Sequence, residues 1–176
     1  YQDSVYACHR LDRETTGVVV FAKTKAALRS LNEQFSKRQV RKAYLACVQG
    51  EWANSWNRVE TCIRRSNGAT WENADSGKQA ITTFRRLVFW QGRSLLQVLP
   101  KTGRTHQIRL HCAYKLCPIL GDRLYGQAVE GQPSMALHAQ ELHFKHPSTH
   151  QKMSTTAPLP DYWGSYWLQD CPVDPG

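Results

Sequence analysis

Two extended runs near the middle of the chain constrain its fold more than any other feature. Ala80 to Trp90 and Ser94 to Leu99 are rich in β-branched, aromatic and aliphatic residues, and only Gln91-Gly92-Arg93 separates them. So short a link returns the chain antiparallel to itself, because a parallel return needs a crossover of a dozen or more residues. Pro100 ends the second run, since it has no amide to continue a ladder. Whatever else forms must be fitted around an antiparallel hairpin.

The flanking pattern supplies further elements. Val18-Val19-Val20-Phe21-Ala22 predicts a buried strand. Thr24 then caps a helix whose apolar residues Leu28, Leu31 and Phe35 fall at helical spacing, with Lys37 and Arg38 suiting its C-terminal end. Arg41 to Val48 predicts a strand with Tyr44, Ala46 and Val48 on one face. Residues 51–77 are polar and turn-rich, with one strand at Arg58 to Ile63. Gly103 allows a tight turn, and Thr105 caps a helix running through Leu116. Strands at Ala136 to Phe144 and Lys152 to Thr156 and a short helix at Asp161 to Leu168 complete the chain. Hairpins with few helices imply an α+β class, a largely antiparallel mixed sheet flanked by helices and loops. With 176 residues and 41% hydrophobic content, one domain over residues 1–176 is expected.

Charge narrows the partner. Lys and Arg number 23 against 14 acids, a net +9, which suits a polyanion such as nucleic acid, although a merely solvated basic surface is the plainer alternative. No apolar run approaches a membrane span. The cysteines at 8, 47, 62, 112, 117 and 171 form no C-x-x-C pair and are expected to be reduced thiols in a cytoplasmic protein. Cys112, Cys117 and His111 lack a second matched pair, so zinc is not expected. His138, His143, His146 and His150 read as structural or RNA-contacting. No glycine-rich nucleotide loop occurs.

Two segments carry chemistry. One is His9-Arg10-Leu11-Asp12-Arg13-Glu14-Thr15-Thr16-Gly17, and the other is Pro100-Lys101-Thr102-Gly103-Arg104-Thr105-His106-Gln107-Ile108-Arg109-Leu110-His111. Together they resemble the two main motifs of the RluA-type RNA pseudouridine synthases. Lys42-Ala43-Tyr44 resembles that family's tyrosine motif, and Pro118 to Gly126 its next block. Leu137-His138-Ala139, Leu142 to Pro147 and Ala157-Pro158-Leu159-Pro160 resemble its tail. Blocks in order over residues 9–160 are far more specific than a lone H-R-L-D. Two departures stand out. Thr16 occupies a position where serine is commoner, and only eight residues precede His9, where the family has an N-K-P-x-G-like segment feeding the sheet. The catalytic domain is therefore expected to lack that N-terminal strand segment.

The resemblance implies isomerisation of uridine to pseudouridine in structured RNA, ribosomal or transfer. It implies that Asp12 is the catalytic carboxylate, able to attack carbon or take a proton without a metal. A turn aspartate is the ordinary alternative. By the same resemblance Arg109 pairs with Asp12, opposing the loss of hydration under a docked base. Tyr44 would stack on the flipped uracil and relay a proton. Arg10 would fill the gap left by the flipped nucleotide, or else contact a phosphate. Leu110 would form part of the apolar floor under the base, a plain buried helix leucine being the simpler alternative, and Arg104 and His106 would position backbone or substrate. Lys23, Lys37, Arg38, Arg41, Lys42, Arg64, Arg65, Arg85 and Arg86 are candidate phosphate contacts that sequence cannot place on one face. Because the base is isomerised in place, neither cofactor nor metal is expected. RNA is the expected partner and a monomer the default state.

Overall fold

A computed structural model describes residues 4–53, 55–66, 71–127, 131 and 134–175. Residues 54 and 67–70, within the turn-rich stretch, lie outside the described residues. Ten strands and two α-helices are described. β1 is Tyr6–Ala7, β2 Thr16–Gly17, β3 Phe21–Ala22, β4 Arg41–Gln49 and β5 Trp56–Arg65. β6 is Trp71–Ala74, β7 Lys78–Trp90, β8 Arg93–Pro100, β9 Leu137–Lys145 and β10 Lys152–Thr156. Helix α1 spans Lys25–Ser36 and α2 spans Gln107–Tyr114.

The central hairpin is β7 with β8. Gln91 and Gly92 form its two-residue turn with φ of 44° and 71°, the left-handed pair that matches the twist of the flanking strands. The sheet grows outward in the order β10-β9-β4-β8-β7-β5-β6, and every neighbour on this path is antiparallel. β2 adds a short parallel pairing to β9, with Thr16 opposite His138 and Gly17 opposite Ala139. β1 and β3 pair separately as a small ribbon. The α+β reading therefore holds.

Both sheet faces are partly covered. Tyr44, Val98 and Phe84 share one row across β4, β8 and β7, and α2 lies against that side, with His111 edge-on to Phe84 at 6.4 Å. Leu45 and Cys47 alternate to the other face, where the C-terminal turn closes over them and the Cys47 thiol donates to the Trp167 carbonyl. The main core unites Leu45, Val48, Phe84, Leu96 and Val98 with the buried indoles of Trp52, Trp163 and Trp167. Each such side chain removed from water contributes roughly 1.5–3 kcal/mol.

Several local expectations need correction. Val18 to Val20 do not form a strand. Val18 N–H donates to the Ala139 carbonyl and Val20 N–H to His9 Nε2, so these backbone groups are satisfied one at a time. β6 was not anticipated, because its four residues lack an apolar alternation. Thr24 does cap α1, accepting from Ala27 N–H at 3.1 Å. Thr105 does not cap α2. His106 stands between it and the helix with φ of 55°, and the turn is held by Gln107 Oε1, which accepts from Thr102 Oγ1 and Arg104 N–H. α2 also stops at Tyr114, before a left-handed Leu116 with φ of 59°. The C-terminal turn expected as an ordinary helix is a π-helical turn over Trp163–Trp167.

Candidate active site

The His9–Gly17 segment crosses the end of the sheet as a loop pinned at both ends. At its start His9 accepts from Val20 N–H and packs on Phe35 at 4.9 Å. At its end Thr16 and Gly17 lie on β9. His138 Nε2 donates to the Ala157 carbonyl, which leaves Nδ1 to accept from the Thr16 hydroxyl at 2.8 Å. Burial lowers the pKa of His138, as this neutral arrangement requires. Gly17 is needed here. Its φ is 119°, and a Cβ would collide with the backbone of Ala139.

Between these anchors Asp12 opens a tight turn, its carbonyl accepting from Thr15 N–H at 3.0 Å. The turn uses only the backbone of Asp12. Its carboxylate accepts no hydrogen bond from the described residues, and its nearest cation is Arg109, with Nη1 at 3.8 Å from Oδ2. That distinguishes it from the ordinary turn aspartate, whose side chain caps its own loop.

α2 is fixed to the sheet by a directed chain of hydrogen bonds. Gln107 Nε2 donates to Thr82, whose hydroxyl is then free to donate to His111 Nδ1. The His111 proton thus lies on Nε2 and is given to Thr61, which donates to Asn73 Oδ1. Burial pushes the His111 pKa down to about 4, so the ring stays neutral in this chain.

With the helix held, Arg109 is 5% exposed. Its Nε and Nη2 form a fork onto Asp122 at 2.8 and 2.7 Å, and its guanidinium lies 5.0 Å from the centre of the Tyr125 ring. Asp122 in turn accepts from the N–H groups of Leu124 and Tyr125. Burial acts to raise the Asp122 pKa, but Arg109 and those two amides hold it below its ordinary value. Burial likewise opposes charge on Arg109, and the two aspartates and Tyr125 more than offset it, leaving its pKa raised. Tyr125 hydroxyl accepts from Trp71 N–H and shares a hydrogen bond with His106 Nδ1 at 2.7 Å.

The loop, β4 and α2 together enclose a cleft of ≈ 310 Å³, within the range of small-molecule pockets. Asp12 and Tyr44 line it, with Arg10, Arg104 and His106 at its polar walls and Ile108 and Leu137 among its apolar ones. Burial, and then the nearby Asp12, push the Tyr44 pKa up to about 12, so its phenol is protonated at neutral pH. The buried Thr15 hydroxyl, also on the wall, has no partner among the described residues. Leu110 does not line the cleft. It packs with Ile63 and Ala80 in a smaller core, because residues two apart on a helix face nearly opposite ways. Sequence reasoning gave no role to Asp122, Tyr125 or His9. The signal for Asp122 was there: a buried guanidinium needs a forked acceptor, and the Gly121 to Gly126 block contains an aspartate. Among the described residues, no group of three His, Cys, Asp or Glu could hold a metal, and no helix is long and apolar enough to cross a membrane.

The cleft therefore joins a carboxylate without a hydrogen bond from the described residues and a buried tyrosine on its wall, with a fixed arginine behind the carboxylate. Comparison with known proteins gives the family. Residues 1–114 match the family model described as RNA pseudouridylate synthase. Ribosomal large subunit pseudouridine synthase C of Vibrio vulnificus is 39% identical over 160 residues, 86% of this chain and 50% of that protein. Ribosomal large subunit pseudouridine synthase D of Borreliella burgdorferi is 39% identical over 140 residues, 76% of this chain and 43% of that protein. Among solved structures, human RNA pseudouridylate synthase domain containing 1 superposes with a TM-score of 0.79 at 30% identity, covering 89% of this chain and 70% of that one. This chain belongs to the RNA pseudouridylate synthase family. It spans about half the length of the curated relatives it matches.

Proposed function

We propose that this chain isomerises uridine to pseudouridine in structured RNA, and that its substrate is large-subunit ribosomal RNA. The observation that carries the reading is the Asp12 carboxylate, unbonded in the cleft wall and facing Tyr44, with Arg109 3.8 Å behind it. The substrate class is taken from the names of the bacterial relatives.

The reaction breaks the bond between C1′ and N1, rotates the base, joins C1′ to C5, and moves a proton from C5 to N1. Every atom of the substrate is retained, so neither a redox carrier nor an energy source is needed. Asp12 acts on the nucleoside as nucleophile or base. A base seated over it expels water, and the fixed charge of Arg109 offsets that loss. Tyr44 stacks on the base and, being protonated, donates toward the developing product. Ile108 and Leu137 supply the apolar contact first expected of Leu110. Arg10, exposed at the cleft rim, fills the stack vacated by the flipped nucleotide, which offsets a few kcal/mol of lost stacking. Arg104 and His106 position the nucleotide.

The test is pseudouridine content by mass spectrometry after incubating unmodified ribosomal and transfer RNA with wild type and with Asp12→Asn. New pseudouridine in ribosomal RNA with wild type alone is the expected result. Product only in transfer RNA would move the substrate. Abasic sites without pseudouridine would make the chain a glycosidase, and RNA binding without product would make it a silent binder.

A further inference from the structure

Beside the cleft lies a second hollow of ≈ 270 Å³ with a different character. It shares Phe35, Lys42, Thr102, Gly103 and Arg104 with the cleft, so the two are continuous. Four of the nine residues lining it are cations, namely Arg38, Lys42, Lys101 and Arg104, and none is an acid. Three separate parts of the chain contribute them: the exit of α1, the first half of β4, and the turn between β8 and α2. Sequence could not gather them because the pair Arg38 and Lys42 is far along the chain from the pair Lys101 and Arg104.

Some basic side chains elsewhere on the surface have acidic partners. Lys37 pairs with Glu33, Arg58 with Glu60, Arg64 with Glu72 and Arg86 with Glu51. Among the described residues the four cations of the hollow have no carboxylate partner, and Arg104 makes only a bond to the Gln79 carbonyl through its side chain. Lys42 is the telling member. Burial lowers its pKa, so its ammonium has given up hydration without an anion in return. It lies two residues before Tyr44 on the same strand, hence on the same face about 7 Å away. Gly103 lies beside the ammonium, where a Cβ would sit in ordinary contact with Nζ at 3.4 Å.

We propose that this hollow is a phosphodiester-binding subsite, which holds a backbone phosphate of the RNA strand next to the nucleotide seated in the cleft. The inference rests on the function proposed above, and it assigns Arg38, Lys42, Lys101 and Arg104 a shared ligand. A phosphate placed there fixes the strand one step from the reacting base, so the flipped nucleotide enters in a single register.

The test compares Arg38→Gln/Lys101→Gln with a control of equal charge loss, Arg93→Gln/Lys115→Gln, at the far ends of β8 and α2. The probe is an unmodified transcript of large-subunit ribosomal RNA. Affinity is measured across sodium chloride concentrations, the single-turnover rate at saturating RNA, and the fold by circular dichroism. The subsite variant is expected to bind about 10-fold more weakly, with its salt slope reduced by about 1, close to the loss of one phosphate contact. Its saturating rate should fall at least about threefold, because the nucleotide is no longer held in a single register, while the control keeps the wild-type rate. The control should retain the wild-type slope. Equal slopes in the two variants would overturn the subsite. If wild type forms no pseudouridine but the slopes still differ, the activity fails and the phosphate subsite stands. If pseudouridine forms and the slopes agree, the subsite alone fails.

Discussion

Arg109 grips Asp122 through two parallel hydrogen bonds and turns its remaining nitrogen toward Asp12 at 3.8 Å. One guanidinium thus has one carboxylate that fixes it and another left free for chemistry. The fork sets the direction of the charge in advance, so on the proposed function nothing need reorganise when a base covers Asp12.

On the proposed function Asp122 is a positioning residue, and Asp122→Asn should lower turnover by roughly 10- to 100-fold while leaving KM nearly unchanged, since Asp122 does not line the cleft. Stability should fall by about 3–5 kcal/mol, as expected when one partner of a buried pair is neutralised. Single-turnover kinetics below the melting transition of the variant, with thermal unfolding alongside, give both quantities. A change in KM alone would remove Asp122 from the site.

Tyr44→Phe keeps the ring and loses the proton. RNA affinity should stay within about twofold while the rate falls roughly 100-fold, a typical contribution of general acid–base catalysis. Because the Tyr44 pKa is pushed up to about 12, its ionisation should leave no alkaline limb in the rate profile below about pH 11. Full activity in the phenylalanine variant would take the hydroxyl out of the mechanism.

Acid should loosen the fold through His111. Its pKa is about 4 when folded, against an ordinary value near 6.5 when unfolded, so between these pH values the unfolded chain binds the extra proton. Its contribution is fully present above about pH 6.5 and is lost as pH falls toward 4, amounting to up to about 3 kcal/mol. Burial lowers the pKa of His138, His9 and His106 too, which adds in the same direction. Denaturant unfolding at pH 7.5 and pH 5 measures the difference, and an NMR titration should show the His111 ring unprotonated at pH 5.

Gly17→Ala tests the anchor of the catalytic loop. The new Cβ meets the backbone of Ala139 in a conformation with φ of 119°, so β2 must leave β9. The rate should fall at least 10-fold at a temperature where circular dichroism still reports a native sheet, because the displaced loop carries Asp12. Wild-type rates would show that Asp12 is placed without this contact.

Much of the fold was legible along the chain. The hairpin, β4 and α1 with its Thr24 cap follow from apolar periodicity and from groups that bond a few residues away. The misread elements share a different cause. The Val18 to Val20 segment looks like a strand, but its amides are taken by His9 and Ala139, partners distant in sequence. Thr105 looks like a cap, but Gln107 already holds the turn through its own side chain.

The same division applies to the site. The motifs named Asp12, Tyr44, Arg10, Arg104, His106 and Arg109, and the fold brings them to one cleft or directly behind it. Leu110 went astray because a motif records neighbours in sequence, whereas helical rotation decides which of Ile108 and Leu110 faces the cleft. Sequence by itself determined the antiparallel framework, the helix starting at Thr24 and the residue types available for chemistry, since these depend on bonds and periodicity within a few residues. Only the tertiary structure decided that Asp122 holds Arg109, that Asp12 is left unbonded, and that four cations from three segments meet in one hollow. Each of those is a distance through space between groups whose separation along the chain carries no information about it.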